Sequence, residues 1–378
     1  MAELQISAIG AISGEVLGSL AISETCSVAE LKRLLTVAHH WPGAVKLFHD
    51  GQQISGPKTL VDAGLRNGAE IQVIISRSQQ ILAGAMDGTG SIWDLEGPQK
   101  AHEFHHGDEL HTAAVSPDGK FLGTAGSDCQ VILWQRDPLD VEFNLQGHQG
   151  QVYSISFCPV SSTLLSASGD ATARLWEISS GQELLCLRGH RRDVNACAIS
   201  PDGQVLATGS DDYCFATWDR RSGQMIHNWD GRRGEGHSGR VYSVAFSPDG
   251  HYLATGAVDK KAKIWDTRAP SGSLLAMKHS DLVNSVQFSV DGNLVASASD
   301  DSLVFVWKPM DGTMVACHEH PMAVLSCSFA DDGHLATGCS DGKLRIWSTA
   351  ESEPVELNAS SNAKSSLRGI KSATFIPA

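Results

Sequence analysis

Short apolar runs separated by turn residues recur along most of the chain. In the clearest example, an alternating run at 241–246 leads into the turn signal Ser-Pro-Asp-Gly at 247–250. Three further apolar runs follow at 252–256, 262–265 and 274–277. Short runs bounded by Gly, Pro, Asp and Ser indicate β-strands joined by tight turns. The pattern therefore predicts four consecutive strands between residues 241 and 277.

Polar and aromatic residues repeat in register with these strands. Seven tryptophans follow one another at spacings of 41, 42, 42, 47, 42 and 40 residues: Trp93, Trp134, Trp176, Trp218, Trp265, Trp307 and Trp347. An Asp precedes every one by six residues, a Ser or Thr precedes six of them by ten, and a His precedes six by 27 or 28. Sevenfold repetition of a four-stranded segment predicts a mainly β fold, a seven-bladed β-propeller over residues 81–378.

The repeats also carry a family signature. Gly-His pairs stand at 147–148, 189–190 and 236–237, and Trp-Asp pairs stand at 93–94, 218–219 and 265–266. In these pairs and in their spacing, residues 80–378 resemble the WD-repeat (WD40) β-propellers. The resemblance implies a rigid disc of blades whose functional residues lie on loops and around a central channel.

The repeated polar residues are candidates for a structural role. In the third repeat they are His148, Ser166, Asp170 and Trp176. The same residue types form Ser-His-Asp catalytic triads, but an enzyme needs one such constellation in one pocket, not six copies around a ring. We expect instead that Asp accepts from His, that His bonds to the Ser or Thr hydroxyl, and that the indole completes a buried clasp in each blade.

Both ends of the chain are predicted to build the first blade. The first repeat begins at Ile81 and lacks an innermost strand, whereas the C-terminal run at 370–376 aligns with the innermost strand at 241–246. Pairing of 370–376 with the first repeat would close the ring, which is the usual closure in this family. The alternative is that the run at 69–75 fills the gap and the C-terminal tail is loose.

Residues 1–76 lack the tryptophan repeat and are predicted to form a separate small α+β domain. Two strands are followed by a capping box at 27–30 that opens a helix, with Val28, Leu31, Leu34, Leu35 and Ala38 on one face. Further strands follow at 45–49, 53–54 and 69–75. Residues 1–76 resemble ubiquitin in this order of elements and in the runs at 47–54, 59–60 and 71–75. The resemblance implies a ubiquitin-like (β-grasp) module. Phe48 and Ile74 would lie in its apolar recognition patch, or else they would only pack the sheet or pack against the propeller.

Composition narrows the function. The formal net charge of −14 argues against a protein that binds the phosphate backbone through a concentrated basic surface, so no nucleic-acid partner is expected. No long apolar run predicts membrane insertion, and the first residues do not resemble a signal peptide. The nine cysteines are scattered without CxxC spacing, so we expect reduced thiols, no metal site and an intracellular location, in the cytoplasm rather than the nucleus.

Candidate partner-binding residues come from the start of each innermost strand. The second position of each such strand should face the side of the disc where these strands begin, which we call the top face. The candidates are His111, Tyr153, Asn195, Tyr242, Asn284, Leu325 and Lys371, together with Arg191 and Arg192 after the second Gly-His pair and with Asp211 and Asp300 before two clasp aspartates. Tyrosines and arginines among acidic residues are typical of a protein or peptide binding site.

The sequence therefore favours a non-enzymatic scaffold that binds proteins or peptides and needs no cofactor. No P-loop, no GxGxxG motif after a strand and no metal-ligand spacing points to catalysis. The alternative is a substrate receptor of a cullin-type ubiquitin ligase, with ligase or proteasome components as partners. In some WD-repeat receptors a Trp-Asp-Xaa-Arg motif docks on the ligase adaptor. That motif occurs here twice, with Trp218 and Arg221, and with Trp265 and Arg268.

Overall fold

The chain divides into two compact units between Gln79 and Gln80. The structure, a computed structural model, describes residues 3–10, 16–23, 26, 28, 31, 44–49, 52–54, 59–62, 69–76, 80–95, 99–268, 272–330, 333–348, 354–359 and 369–376.

The first unit contains one five-stranded sheet. Its strands are β1 (Glu3–Gly10), β2 (Val16–Ser23), β3 (Ala44–His49), β4 (Gln52–Ile54) and β5 (Ala69–Ser76). Their order is β2-β1-β5-β3-β4, with β1 and β5 parallel and the other neighbours antiparallel. The predicted helix lies mostly outside the described residues, but Val28 and Leu31 are helical and buried. Because β5 pairs with β1 and β3, it does not fill the first blade.

The second unit is a ring of seven four-stranded antiparallel sheets, here called blades one to seven. Blade one combines the last strand, β33 (Ile370–Ile376), with β6 (Gln80–Ala85), β7 (Thr89–Asp94) and β8 (Gln99–His105). Blade two contains β9 (Leu110–Val115), β10 (Phe121–Gly126), β11 (Val131–Gln135) and β12 (Asp140–Leu145). Blade three contains β13 (Val152–Phe157), β14 (Thr163–Ser168), β15 (Thr172–Glu177) and β16 (Glu183–Arg188).

The remaining blades follow in chain order. Blade four contains β17 (Val194–Ile199), β18 (Val205–Ser210), β19 (Cys214–Asp219) and β20 (Met225–Asp230). Blade five contains β21 (Val241–Phe246), β22 (Tyr252–Ala257), β23 (Lys261–Asp266) and β24 (Leu275–Lys278). Blade six contains β25 (Val283–Phe288), β26 (Val295–Ser299), β27 (Leu303–Trp307) and β28 (Met314–Glu319). Blade seven contains β29 (Val324–Phe329), β30 (Leu335–Cys339), β31 (Lys343–Trp347) and β32 (Val355–Asn358).

The core lies between neighbouring blades. Each second strand is packed on both faces, so its residues are small or apolar and nearly all buried, as in β14. Four of the repeat tryptophans rank among the largest fully buried side chains: Trp176, Trp218, Trp265 and Trp307. Trp176, for example, packs in one cluster with Ala125, Val131 and Leu133 of blade two, so its indole fills space between two neighbouring sheets.

The C-terminal strand joins the two ends of the ring. In β33, Ile370 pairs with Ala85 and Ile376 pairs with Gln80. Both isoleucines are buried, and Ile370 packs in one cluster with Trp93 and with residues of blade seven. The Ser372 hydroxyl also donates to the Ala113 carbonyl of blade two, over 2.7 Å. One strand therefore connects blades seven, one and two.

Candidate functional site

The top face collects one side chain from every blade. Each first strand begins there, and its second residue borders the mouth of the central channel. These seven residues line a single cavity of about 230 Å³: His111, Tyr153, Asn195, Tyr242, Asn284, Leu325 and Lys371. All seven are partly exposed. The structure thus brings the predicted channel residues together from positions up to 260 residues apart in the sequence.

Two aromatic rings lie side by side at blades two and three. The ring centroids of His111 and Tyr153 are 5.3 Å apart, and His111 Nε2 lies 3.0 Å from the Ser127 hydroxyl. Burial lowers the pKa of His111, so its imidazole is neutral at physiological pH. Burial and the nearby Asp193 raise the pKa of Tyr153, whose hydroxyl donates to Asp193 over 3.4 Å. This pair offers an apolar surface edged by a hydrogen-bonding group.

The two channel asparagines are already engaged by the protein. The Asn195 amide donates to Asp211 over 2.7 Å and to the Val241 carbonyl over 3.1 Å. Asn284 makes the equivalent bonds to Asp300, over 2.6 Å, and to the Val324 carbonyl, over 2.9 Å. Each asparagine therefore links its own blade to the next one, which stiffens the channel mouth and leaves its amide oxygen as the group available to a partner.

Charged groups surround Tyr242. Arg240, whose side chain is 48% exposed, forms an ion pair with Asp211 at 3.4 Å. Asp211 first, and then Tyr242, raise the pKa of Arg240. On the neighbouring loop the side chains of Arg191 and Arg192 are exposed, while the Arg191 amide donates to Asp212 over 2.9 Å. On this side of the channel the Arg240 side chain is therefore held by a carboxylate, whereas Arg191 is held by its backbone amide.

The predicted clasp residues meet inside the blades. In blade three His148 Nδ1 lies 2.9 Å from Asp170, His148 Nε2 lies 2.7 Å from the Ser166 hydroxyl, and Trp176 donates to that hydroxyl over 2.8 Å. Because a carboxylate only accepts, Nδ1 carries the proton and Nε2 accepts from Ser166. Blades four and five repeat this arrangement, and in blade two the ring of His106 is turned so that Nε2 faces Asp128.

Two other blades depart from the expected clasp. In blade six His279 bonds to Asp301 and Ser297, but the buried indole nitrogen of Trp307 has no hydrogen-bond partner. In blade seven Asp341 pairs with Arg345 at 2.7 Å, so His320 bonds to Thr337 without the carboxylate. Burial, reinforced by Arg345, lowers the pKa of His320 to about 4. The expectation of six identical clasps is therefore wrong for these two blades.

The buried clasps offer no route to substrate. Their six hydroxyl residues are fully buried: Thr124, Ser166, Thr208, Thr255, Ser297 and Thr337.

Within the described ranges no group of His, Cys, Asp and Glu has the geometry to hold a metal ion. All nine cysteines are free thiols. In the part of the chain that the structure describes, no helix is long and apolar enough to cross a membrane.

The two Trp-Asp-Xaa-Arg motifs lie on the opposite face, where third strands end. Their tryptophans, Trp218 and Trp265, are buried and donate to Thr208 and Thr255, so neither indole is available for docking. Arg268 is 54% exposed and makes a two-point contact with Asp266, at 2.9 and 2.8 Å.

The first motif is arranged differently. There Arg220 bonds to Ser161 of blade three over 2.9 Å, and Arg221 is exposed. Of the four predicted docking residues, only the two arginines Arg221 and Arg268 reach the surface.

One top-face residue escaped the sequence prediction. Tyr213 is 37% exposed, with a left-handed backbone at φ 71°, and the guanidinium of Arg232 lies 5.8 Å from its ring centre. Arg232 belongs to a short 3-10 helix, Gly231–Arg233, in the loop between blades four and five. The 47-residue spacing between Trp218 and Trp265, longer than any other, was the signal that an insertion lies here.

The predicted ubiquitin-like patch is described only by its backbone. Phe48 pairs with Gln72 and Ile74 pairs with Lys46, so the two residues occupy register positions two apart on neighbouring strands. Their side chains lie outside the described part of the structure.

Comparison with known proteins places these features in a family. The family model "WD domain, G-beta repeat" (WD40) matches residues 98–135, 140–177, 181–219, 231–266, 272–308 and 312–348, which is more than half of the chain. Five of the six matches run from the outer strand of one blade through the third strand of the next, and the match at 231–266 begins just after the outer strand β20. The chain is 47% identical over 47 residues to Denticleless protein homolog B of Xenopus laevis and 42% identical over 48 residues to Denticleless protein homolog of Danio rerio. Each of those matches covers 12% of this chain and 7% of the relative. The chain belongs to the WD40-repeat family.

Proposed function

We propose that this protein is a non-enzymatic interaction scaffold whose propeller binds partner proteins or peptides at the mouth of its central channel. The observation that carries the proposal is the convergence of seven side chains, one from each blade, on a single cavity. Tyr153 and Tyr242 supply large contact surfaces with little loss of entropy, because a tyrosine side chain has few rotatable bonds. The asparagine links between blades hold this surface in one shape before a partner arrives, which reduces the entropic cost of binding.

A scaffold role without catalysis is supported by the burial of the clasp hydroxyls. A nucleophile must reach its substrate, and the Ser166 side chain has no exposed surface. A rise in melting temperature with nucleotides or divalent metals would count against this part of the proposal, because such ligands stabilise only a protein that binds them.

The proposal is tested by comparing the partners of matched tyrosine variants. Tyr153→Ala combined with Tyr242→Ala removes both channel tyrosines, whereas Tyr252→Ala removes the tyrosine at the start of β22, on the opposite face. Each tagged full-length protein is purified from cells and its partners are identified by mass spectrometry. We expect the double variant to lose most partners and Tyr252→Ala to retain them, provided that both melt near the wild-type temperature. Equal recovery from both variants would sink the proposal.

A second candidate function is that of a substrate receptor of a cullin-type ubiquitin ligase. It is supported by the exposed guanidinium groups of Arg221 and Arg268 on the face opposite the channel mouth. This reading predicts that Arg221→Ala with Arg268→Ala loses ligase components while Arg233→Ala, on the top face, retains them. Unchanged recovery of such components, or their absence from the wild-type sample, would remove the second candidate.

We further propose that residues 1–76 form a ubiquitin-like module. The strand order β2-β1-β5-β3-β4, with parallel pairing of β1 and β5, supports this assignment. Loss of proteasome or ligase components from full-length Phe48→Ala with Ile74→Ala would favour a recognition patch. A lower melting temperature with unchanged partners would favour a packing role for the same two residues.

An intracellular, cytoplasmic location is part of the same proposal. Its support is the set of nine free cysteines, since thiols persist in the reducing cytosol. A fluorescent fusion imaged in cells tests it, and accumulation in the nucleus would contradict it.

A further inference from the structure

Five arginines lie close in sequence to the turn of blade four that contains Asp211, Asp212 and Tyr213 or in the loop bonded to it, and two of them, Arg232 and Arg240, contact the turn with their side chains. They come from the two loops that flank this turn: Arg191, Arg192, Arg232, Arg233 and Arg240. We call this group the arginine cluster. One loop is joined to the turn through the Arg191 amide, which donates to Asp212 over 2.9 Å. The other is joined through the Gly231 amide, which donates to the Tyr213 carbonyl over 3.2 Å.

The aspartates near the arginine cluster are already engaged by other groups, whereas Glu235, which lies between Arg233 and Arg240, is exposed. Asp211 accepts from Asn195 and pairs with Arg240, and Asp212 accepts from His190. Asp230 accepts the Arg232 amide over 3.0 Å and lies 3.6 Å from Arg233.

Two arginines of the cluster remain uncompensated. Both side chains are exposed, and neither the Arg191 nor the Arg192 guanidinium forms a hydrogen bond or ion pair with a described residue. The cluster therefore presents free guanidinium donors on a protein whose net charge is −14.

Tyr213 provides a second and independent observation at the same place. Blades one and seven have glycine at the equivalent turn position, Gly88 and Gly342, with φ of 84° and 85°. A bulky residue in this left-handed conformation is strained by about 1–2 kcal/mol relative to the ordinary backbone regions. Its ring, partly covered by Arg232, is nevertheless held at the surface beside the arginines. An exposed ring and exposed guanidinium groups on the same face suit a ligand that has both an anionic group and apolar neighbours.

We propose that the arginine cluster binds an anionic peptide segment of a partner, in which phosphorylated or acidic side chains contact Arg191 and Arg192 while neighbouring residues pack on Tyr213. The inference rests on the proposed scaffold function and names the chemistry of its partner. Guanidinium groups bind phosphate and carboxylate through paired, charge-assisted hydrogen bonds.

The test measures binding of three fluorescent peptide pools of equal length to the full-length protein. The pools have randomised flanks around a central phosphoserine, glutamate or serine, and a single-stranded oligonucleotide serves as a further probe. We expect at least one anionic pool to bind about tenfold more tightly than the serine pool. Preference for phosphoserine alone identifies phosphorylation as the source of charge, and equal binding of the glutamate pool identifies acidic sequence.

Variants locate the binding surface. Arg191→Ala with Arg192→Ala, and separately Arg232→Glu from the other loop, should each weaken anionic binding by about tenfold without lowering the melting temperature. Arg221→Ala removes the same charge from the opposite face and should have no effect. Equal binding of charged and neutral pools, an anionic preference that survives both variants, or tighter binding of the oligonucleotide than of any peptide pool would each overturn the inference.

Failure of this inference can be separated from failure of the proposed function. If no anionic preference is found but the Tyr153 and Tyr242 variant still loses its partners, the peptide chemistry is wrong and the scaffold function stands. If that variant also retains its partners, both are wrong.

Discussion

Removing the C-terminal strand should unfold the propeller. Deletion of residues 369–378 removes β33, which supplies six paired residues to β6 and the buried side chains of Ile370, Ala373 and Ile376. Each buried isoleucine contributes about 2–5 kcal/mol when cavity effects are included. With the lost sheet pairing, the deletion costs about 6–10 kcal/mol, which is comparable with the whole stability of a typical folded protein.

The closure assay combines urea unfolding, followed by tryptophan fluorescence, with size-exclusion chromatography. The deletion variant should aggregate or show no cooperative transition, and a synthetic peptide of residues 367–378 should restore a folded fraction. Ile370→Ala should lower stability by about 2–5 kcal/mol. The control Val355→Ala, on the outer strand of blade seven and 42% exposed, should change it by less than about 0.5 kcal/mol. A monomeric deletion variant with the full-length unfolding midpoint would refute the closure argument.

Three further predictions concern the blades. Asp170→Ala removes the acceptor of His148 and of the Thr172 amide, and it should lower stability by about 2–4 kcal/mol in urea unfolding; no change would contradict a structural clasp. Ala171→Gly should raise stability by about 0.5–1 kcal/mol, because Ala171 has φ 64° where blades one and seven have glycine, and a loss would show that the turn is unstrained. Burial lowers the pKa of His237 and His279 below 6.5 and that of His320 to about 4, so the folded protein binds fewer protons than the unfolded chain once the pH falls below 6.5. The urea concentration at the unfolding midpoint should therefore decrease as the pH is lowered from about 7 to about 5, and His320→Gln should make this decrease smaller. A midpoint that does not change with pH would contradict the burial argument.

The repeat pattern predicted the propeller because its determinants are local. In six repeats the Trp and the Ser or Thr ten residues before it lie on neighbouring strands of one hairpin, and the Asp lies in the turn that joins them, so their separation in sequence fixes their separation in space. Ser166 and Trp176, for example, are ten residues apart in the sequence, and the Trp176 indole nitrogen donates to the Ser166 hydroxyl over 2.8 Å. The turn between the two strands is short and allows few backbone conformations. A fixed spacing in the sequence therefore predicts a fixed arrangement of the side chains.

The details that spacing missed depend on competition between groups. Blade seven has His320, Thr337 and Asp341 in register, but Arg345 captures the aspartate. Arg174 occupies the equivalent position of blade three, yet Asp170 there stays 2.9 Å from His148. Whether the aspartate bonds to the histidine or to the arginine depends on three-dimensional geometry and desolvation, and sequence spacing shows neither.

Contacts between blades were equally hidden. The Asn195 amide reaches the Val241 carbonyl, 46 residues away, so a residue chosen as a partner contact also links two blades. Tyr213 was overlooked because the equivalent turn position holds glycine, cysteine, alanine, lysine or serine in the other blades, which gives no reason to expect an exposed aromatic ring there. Its contact with Arg232 of the inserted loop depends on the fold and not on the repeat spacing.

The central claim is that partners bind at the channel mouth, and in-cell photo-crosslinking tests it most directly. The crosslinking amino acid p-benzoylphenylalanine is placed at Tyr242 in one full-length protein and at Tyr252 in another. These tyrosines lie at the start of adjacent strands of one hairpin and on opposite faces of the propeller. The account predicts discrete crosslinked partners from position 242 and none of those partners from position 252. The same partners crosslinked from position 252 but not from 242 would contradict it.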